Sequence, residues 1–426
     1  MKVTVLAVGS QGDVQPYVAL GGGLARAGFS VRLASHGNFR DMARRAGLDF
    51  ALIAGNPVDI VNGPKGMAWL SSTNSYVKFL SRARALARNL IGDMSRDALK
   101  AAEGSDALVF SLPLSIPGFS VADSLRIPAI PAALYPLHPT PAFPSIMTPD
   151  LALGAAGNWL SGVAVEQLYW QLLRSLNRSW RRELGIPPLP FLSPVRRLER
   201  AGIPFLYGYS PSVIPTPPGW PPQRTVCGYW FLEDQQDWKP ARQLSDFLAA
   251  GPAPIYIGFG SMTSADSTLM TQNILEAVRR TGQRAILSTG WGGFQTKDLP
   301  DTILPVGFVS HSWLFPRVSL AIHHGGAGTT AAILRAGVPS IVVPFFADQF
   351  FWGRRVRELG VGAGPIPRRL LTADRMESAI RKILEDRDIT ERSRRLGNAI
   401  RGEDGISVAM SVVQDYLRST TPRRRV

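Results

Sequence analysis

A run of apolar residues ends in two histidines at Ala321-Ile322-His323-His324-Gly325-Gly326-Ala327-Gly328-Thr329-Thr330. This pattern reads as a buried strand, a glycine-rich turn and a helix opened by Thr329. Helix N-termini carry unpaired N–H groups and partial positive charge, so such a turn suits phosphate. Glycines let the backbone come close to an anion, and a histidine at the strand end can donate to a phosphate oxygen. No Gly-Lys-Ser/Thr follows, so this is not a Walker loop. Twenty-five residues after His324, the next strand ends in Pro344-Phe345-Phe346-Ala347-Asp348-Gln349. If the two strands are parallel neighbours, their carboxyl ends open on one crevice. A carboxylate beside a carboxamide there can accept from and donate to adjacent sugar hydroxyls.

A second reactive group stands near the start, in Gly9-Ser10-Gln11-Gly12-Asp13-Val14-Gln15-Pro16. An acid in this setting caps a helix or serves as a base. A carboxylate with an ordinary pKa of about 4 is ionised at neutral pH and ready to take a hydroxyl proton.

The elements that must position these groups alternate in the α/β manner. Lys2 to Ser10 begins as a strand buried on both faces. A loop over 12–16 leads to a helix from Tyr17 to Ala27, then a strand from Ser30 to Ser35 and a helix from Phe39 to Ala46. Strands follow at Asp106 to Phe110 and Ile130 to Leu134. The rhythm resumes with strands at 255–259, 285–288, 319–323 and 340–343, and helices at 269–281, 329–336 and 406–417. Repeated β-loop-α units predict doubly wound parallel sheets. Proline-dense Ser210 to Pro222 is the expected interdomain linker. This gives a first domain at 1–214, a second at 215–405, and a last helix with a basic tail at 406–426. Residues 151–185 form a long helix, rich in Leu, Trp and Arg. It either caps a lobe with a solvated basic face, or covers an apolar pocket or rests on a membrane.

At 426 residues the chain is long enough for two such lobes. The formal charge of +15 divides almost equally between residues 1–216 and the remainder. It lacks the clustered stripe of a duplex binder, so nucleic acid is not an expected partner. Phosphorylated metabolites or an anionic membrane surface fit the charge, and an arginine-rich composition without a partner fits it equally. A single cysteine, Cys227, leaves no disulfide framework or cysteine zinc site. Met1 to Gly9 reads as a strand, not a secretory leader, and no run of 18 apolar residues could span a bilayer. The expectation is a cytoplasmic protein, with contact at the inner membrane face left open.

The donor segment resembles the signature of the UDP-glycosyltransferase family, the inverting enzymes with the two-lobed GT-B fold. Its sterol glucosyltransferase and bacterial natural-product branches are the most similar. The resemblance spans nearly the whole chain, most strongly at 3–36 and 303–355. It implies two Rossmann-like domains facing across a cleft, acceptor on the first and donor on the second. By resemblance, His324 contacts the donor diphosphate, and Gly326, Gly328 and Thr329 form the phosphate turn. Asp348 and Gln349 hold sugar hydroxyls, Phe308 stacks on the base, and the backbone of Val309 reads its edge. Ser261, after the strand at 255–259, matches another diphosphate contact, and Trp291 echoes a sterol-branch motif.

Asp13 matches the family's catalytic base in its aspartate form. His-type relatives place an acid at the position of Ser111, which a carboxylate base does not need. Gln11, where arginine is frequent, and His138 fall in segments that line the acceptor pocket in relatives, and a surface or packing role fits His138 equally. Ala332 replaces the glutamate that grips ribose in plant-type members. Asp386-Arg387-Asp388 ends a charged helix instead of following a strand, and reads as a solvated face, not a metal motif. No metal cofactor is expected.

The resemblance implies transfer of a hexose, glucose foremost, from a UDP-sugar to a hydroxyl of a hydrophobic acceptor such as a sterol, polyketide or phenolic. The alternatives are deoxysugar transfer from a dTDP-sugar to a lipid, an inactive auxiliary partner of a transferase, and an epimerase sharing the fold. The oligomeric state is not legible.

Overall fold

Val3, Val5 and Leu6 are buried, as a strand flanked on both faces requires, and Lys2–Leu6 forms β1. In the computed structural model, the residues described are 1–55, 92–111, 117–148, 153–193, 195–232, 238–259, 267–288, 299–345 and 348–420. They divide into two compact units, Met1–Leu232 with Glu403–Val426, and Glu233–Gly402.

The first unit is built on a seven-stranded parallel sheet in the order β3-β2-β1-β4-β5-β6-β7. The other strands are β2 Ser30–Ser35, β3 Asp49–Leu52, β4 Ala107–Ser111, β5 Ala129–Ala133, β6 Phe205–Tyr207 and β7 Arg224–Val226. β1 pairs with β2 on one side (Lys2 opposite Ser30) and with β4 on the other (Leu6 opposite Phe110). Helices α1 Gln11–Arg26, α2 Arg40–Arg45, α3 Gly118–Leu125, α4 Gly154–Glu183 and α5 Val195–Arg200 belong to this unit.

Two expectations change here. Helix α1 begins at Gln11, so 12–16 is not a loop. Ser10 and Asp13 close its first turn, and Pro16 forfeits only the bond to the Gly12 carbonyl, near the helix start, where that loss is tolerated. The segment 210–222 lies inside the first unit, because β7 follows it and pairs with β6. The chain changes unit after Leu232.

The second unit holds a five-stranded parallel sheet in the order β10-β9-β8-β11-β12. Its strands are β8 Ile255–Gly258, β9 Ala285–Ser288, β10 Ile303–Val306, β11 Leu320–His323 and β12 Ser340–Val342. The helices introduced for this unit are α6 Arg242–Ala249, α7 Ser267–Arg280, α8 His311–Leu314, α9 Ala327–Ala336, α10 Gln349–Glu358, α11 Ala373–Glu385 and α12 Arg387–Arg401. Ile257, Leu287, Ile322 and Ile341 fill one core, with Met376, Ile380 and Ile383 of α11 against them.

The chain then returns to the first unit as α13 Gly405–Thr420, whose Ala409, Val413 and Leu417 pack into the core around α1. Gly228, at φ 104, approaches Gly405 so closely that a Cβ on either would meet the other's backbone within about 3 Å. The basic tail 422–426 lies outside the described residues. Among them, no helix is long and apolar enough to cross a membrane.

Candidate active site

In the second unit, β8 and β11 are neighbours, with β9 and β10 to one side and β12 to the other. Open α/β sheets bind ligands at such a switch of strand order, beyond the carboxyl ends. β11 ends there at His323. Gly325 turns the chain at φ 89, and a Cβ on it would stand 2.6 Å from Val342 Cγ1 and 3.0 Å from the Gln349 carbonyl, so only glycine fits. Its N–H donates to His323 Nδ1 at 3.2 Å. Since Nδ1 accepts, the proton of this neutral, fully buried ring sits on Nε2, which has no partner among the described residues.

Helix α9 starts at Ala327, two residues before the expected Thr329, with Gly326 as N-cap. Thr330 N–H makes the first intrahelical bond, to Gly326 O, so the N–H groups of Gly326, Ala327, Gly328 and Thr329 have no carbonyl within the helix. The His324 ring lies over this turn: a Cβ on Gly326 would come within 2.5 Å of its Nε2. Burial lowers the His324 pKa to about 4, against the opposing pull of the Gly258 backbone at the end of β8. The ring is therefore neutral at physiological pH and keeps a donor N–H. The strand ends, helix N-terminus and histidine together present donors that could hold an anionic oxygen.

The pair expected to hold sugar hydroxyls stands where α10 leaves the neighbouring strand. Asp348 is the N-cap residue, and its Oδ2 accepts from Trp352 Nε1 at 3.0 Å. Gln349 is buried, and its Oε1 accepts from Phe345 N–H at 2.7 Å. The carboxamide oxygen thus braces the turn that carries Asp348. Phe308, beyond the end of β10, is 74% exposed, while partly buried Val309 packs against the core containing Leu314 and Phe315. Three strand spacings, roughly 14 Å, separate β10 from β11, comparable to the span of a nucleoside diphosphate. Ser261 and Trp291 lie outside the described residues. Asp386 is a helix cap: its Oδ1 accepts from the N–H groups of Asp388 and Ile389 at the start of α12.

In the first unit, the strand order switches between β1 and β4. Asp13 follows β1 there, in the first turn of α1. Ser10 donates to its Oδ2 twice, from the backbone N–H and from Oγ, each at 2.8 Å. Burial raises the carboxyl pKa above its ordinary value, against these two bonds, which lower it. Behind it, burial and then the Asp13 charge push Tyr17 well up, and Tyr17 donates to Ala132 O at 2.9 Å. Ser111 ends β4, buried, its Oγ without a partner among the described residues. Gln11 is exposed at the head of α1.

His138 lies in an aromatic cluster, buried, bonded through Nδ1 to Tyr207 and set edge-on against Phe205 at 4.4 Å. Trp220 stacks on Tyr207 at 4.9 Å. Three contributors escaped the sequence reading: Gly9, Ser10 and His323. The Ser-x-x-Asp spacing, a capping pattern, could have found Ser10.

Residues 3–115 match the glycosyltransferase family 28 N-terminal domain, and residues 274–405 the C-terminal domain of erythromycin biosynthesis protein CIII-like proteins. Over 441 aligned residues covering the whole chain, it is 36% identical to a sterol 3-beta-glucosyltransferase of Emericella nidulans, of whose length it spans 30%. The crystal structure of the glycotransferase of kitacinnamycin superposes with a TM-score of 0.71 at 18% identity, covering 98% of this chain and 99% of that one. Glycosyltransferase VinC, solved in complex with dTDP, superposes with a TM-score of 0.67 at 17% identity, covering 98% and 100%. These two likenesses are of fold.

Proposed function

The chain belongs to the GT-B glycosyltransferases related to the sterol 3-beta-glucosyltransferases, and on that premise we propose that it glucosylates a hydrophobic alcohol from a UDP-sugar. The acceptor class is a sterol or similar ring-bearing natural product. Asp13 takes the proton of the acceptor hydroxyl as its oxygen attacks the anomeric carbon. The bond from that carbon to the diphosphate oxygen breaks on the opposite face, inverting the configuration. His324 and the first N–H groups of α9 receive the charge that builds on the leaving diphosphate, and no metal enters the scheme. Asp348 orients the sugar hydroxyls and Phe308 stacks on the base.

The observation carrying this reading is Asp13, held at the strand switch by Ser10 with its basicity raised by burial. A second reading, transfer of a deoxysugar from a dTDP donor, is favoured by the likeness to VinC, solved with dTDP. A panel of UDP- and dTDP-sugars against a sterol, polyketide and phenol library, read by mass spectrometry, tests both. A hexosyl-sterol from UDP-glucose is expected. Product only with dTDP-sugars replaces the first reading by the second, and no product with any donor overturns both.

A further inference from the structure

Helix α4, with its N-cap residue Leu153, turns a line of mostly exposed residues outward. Positions 153, 157, 160, 164, 168, 171, 175, 178 and 182 recur every three or four residues, so they share one face. They read Leu, Gly, Leu, Ala, Leu, Gln, Ser, Arg, Arg, apolar in the first half, basic in the second and without an acid. Leu160 and Leu168 are more than half exposed, as are Phe191 and Leu192, and Arg178 and Arg182 are exposed too. Phe191 is held against this face by Gln167 and Gln171, whose Nε2 groups donate to its carbonyl, and Arg174 lies over its ring.

The rest of the helix is already anchored. Trp180 enters the core beside Phe110, and buried Arg181 binds Asp123 at 2.8 Å and Ser120 Oγ at 3.1 Å. The outward line is therefore surplus to the helix's own packing. Single exposed leucines need no explanation, but a contiguous patch continued by cations does.

We propose that this face docks on an anionic lipid membrane. Leu160, Leu168, Phe191 and Leu192 enter the boundary between headgroups and acyl chains, and Arg178 and Arg182 meet lipid phosphates. From 160 to 182 the line runs roughly 33 Å along the axis, the geometry of a helix lying flat on a surface. Its cations and the net charge of +15 match a negative surface. A second copy of the chain fits less well. It would set the arginines against each other or against leucines, with no counter-charge on the line.

Sedimentation of the full chain with vesicles of phosphatidylcholine, with or without phosphatidylglycerol, tests the surface. Binding is expected only with the anionic vesicles. Replacing Arg178 and Arg182 by Ser should weaken it roughly 5-fold per residue at low salt. Replacing Leu160, Leu168 and Phe191 by Ser should abolish the binding that persists at high salt. All these side chains are exposed or half-exposed, so the melting midpoint and turnover of a water-soluble alcohol should be retained. Wild-type chain that stays in the supernatant, variants that sediment like it, or a dimer by light scattering that the leucine variants dissolve would each overturn the proposal.

Discussion

A β-carbon on Gly9 would stand 2.7 Å from Asp13 Oδ2, so the carboxylate rests against a backbone that has no side chain. Gly9 also sits at φ 131, a conformation side chains rarely adopt. Gly9→Ala should displace Asp13, the proposed base, and lower kcat about 100-fold, with about 1–3 kcal/mol lost from stability. Steady-state kinetics beside a thermal melt checks this. Unchanged turnover would mean that the position of Asp13 is immaterial.

Asp13→Asn should lower kcat about 100- to 10,000-fold while keeping the Ser10 contacts. Its effect on stability has the opposite sign. Because the folded pKa is raised, the stabilising contribution of Asp13 is complete below the unfolded value of about 4 and is lost as pH rises through the folded value. At neutral pH the ionised group costs stability, so the variant should melt higher than wild type. In the wild type, kcat/KM should fall on the acid side at a pH above that of an exposed aspartate.

His324 is shifted the other way. Its folded pKa of about 4 lies below the unfolded value near 6.5, so the unfolded chain binds the extra proton first. Stability should therefore decline as pH falls from about 6.5 toward 4. His324→Gln should flatten that decline in melts taken across the window. The same change should weaken UDP binding about 10- to 100-fold by calorimetry, as expected for a lost bond to a charged group.

His323 accepts from the Gly325 N–H and so fixes the turn. Asn can reproduce that acceptor and Leu cannot. His323→Leu should raise the donor KM about tenfold, the worth of one unsatisfied buried N–H, and His323→Asn should restore most of it with kcat little changed. Equal defects in both would assign the residue to packing alone.

Phe308→Trp should tighten nucleotide binding several-fold and Phe308→Ala should loosen it, because stacking scales with ring area. The side chain is 74% exposed, so the melting midpoint should not follow. Fluorescence titration with UDP separates the two effects.

The near-continuous apolar runs of Lys2–Leu6, Ala107–Ser111 and Leu320–His323 made the sheets legible, since strands buried on both faces have such sequences. The His-His-Gly-Gly turn was legible because Gly325, at φ 89 and close against Val342, leaves no room for a side chain. The start of α1 was not, because a Gly-Asp-Val-Gln-Pro run carries loop residues, and its helicity depends on the Ser10–Asp13 bonds. β6 and β7 are three residues each, too short for a pattern, and so the linker was placed too early. His138 was ambiguous because its role is set by Phe205 and Tyr207, far away in sequence.

The meeting of Gly228 with Gly405 gives the chain the topology of an insertion: Glu233–Gly402 departs from and rejoins its host at one point. A few residues joining 228 to 405 would close the host into a continuous chain, and the inserted unit could be exchanged for that of a relative without rerouting any strand.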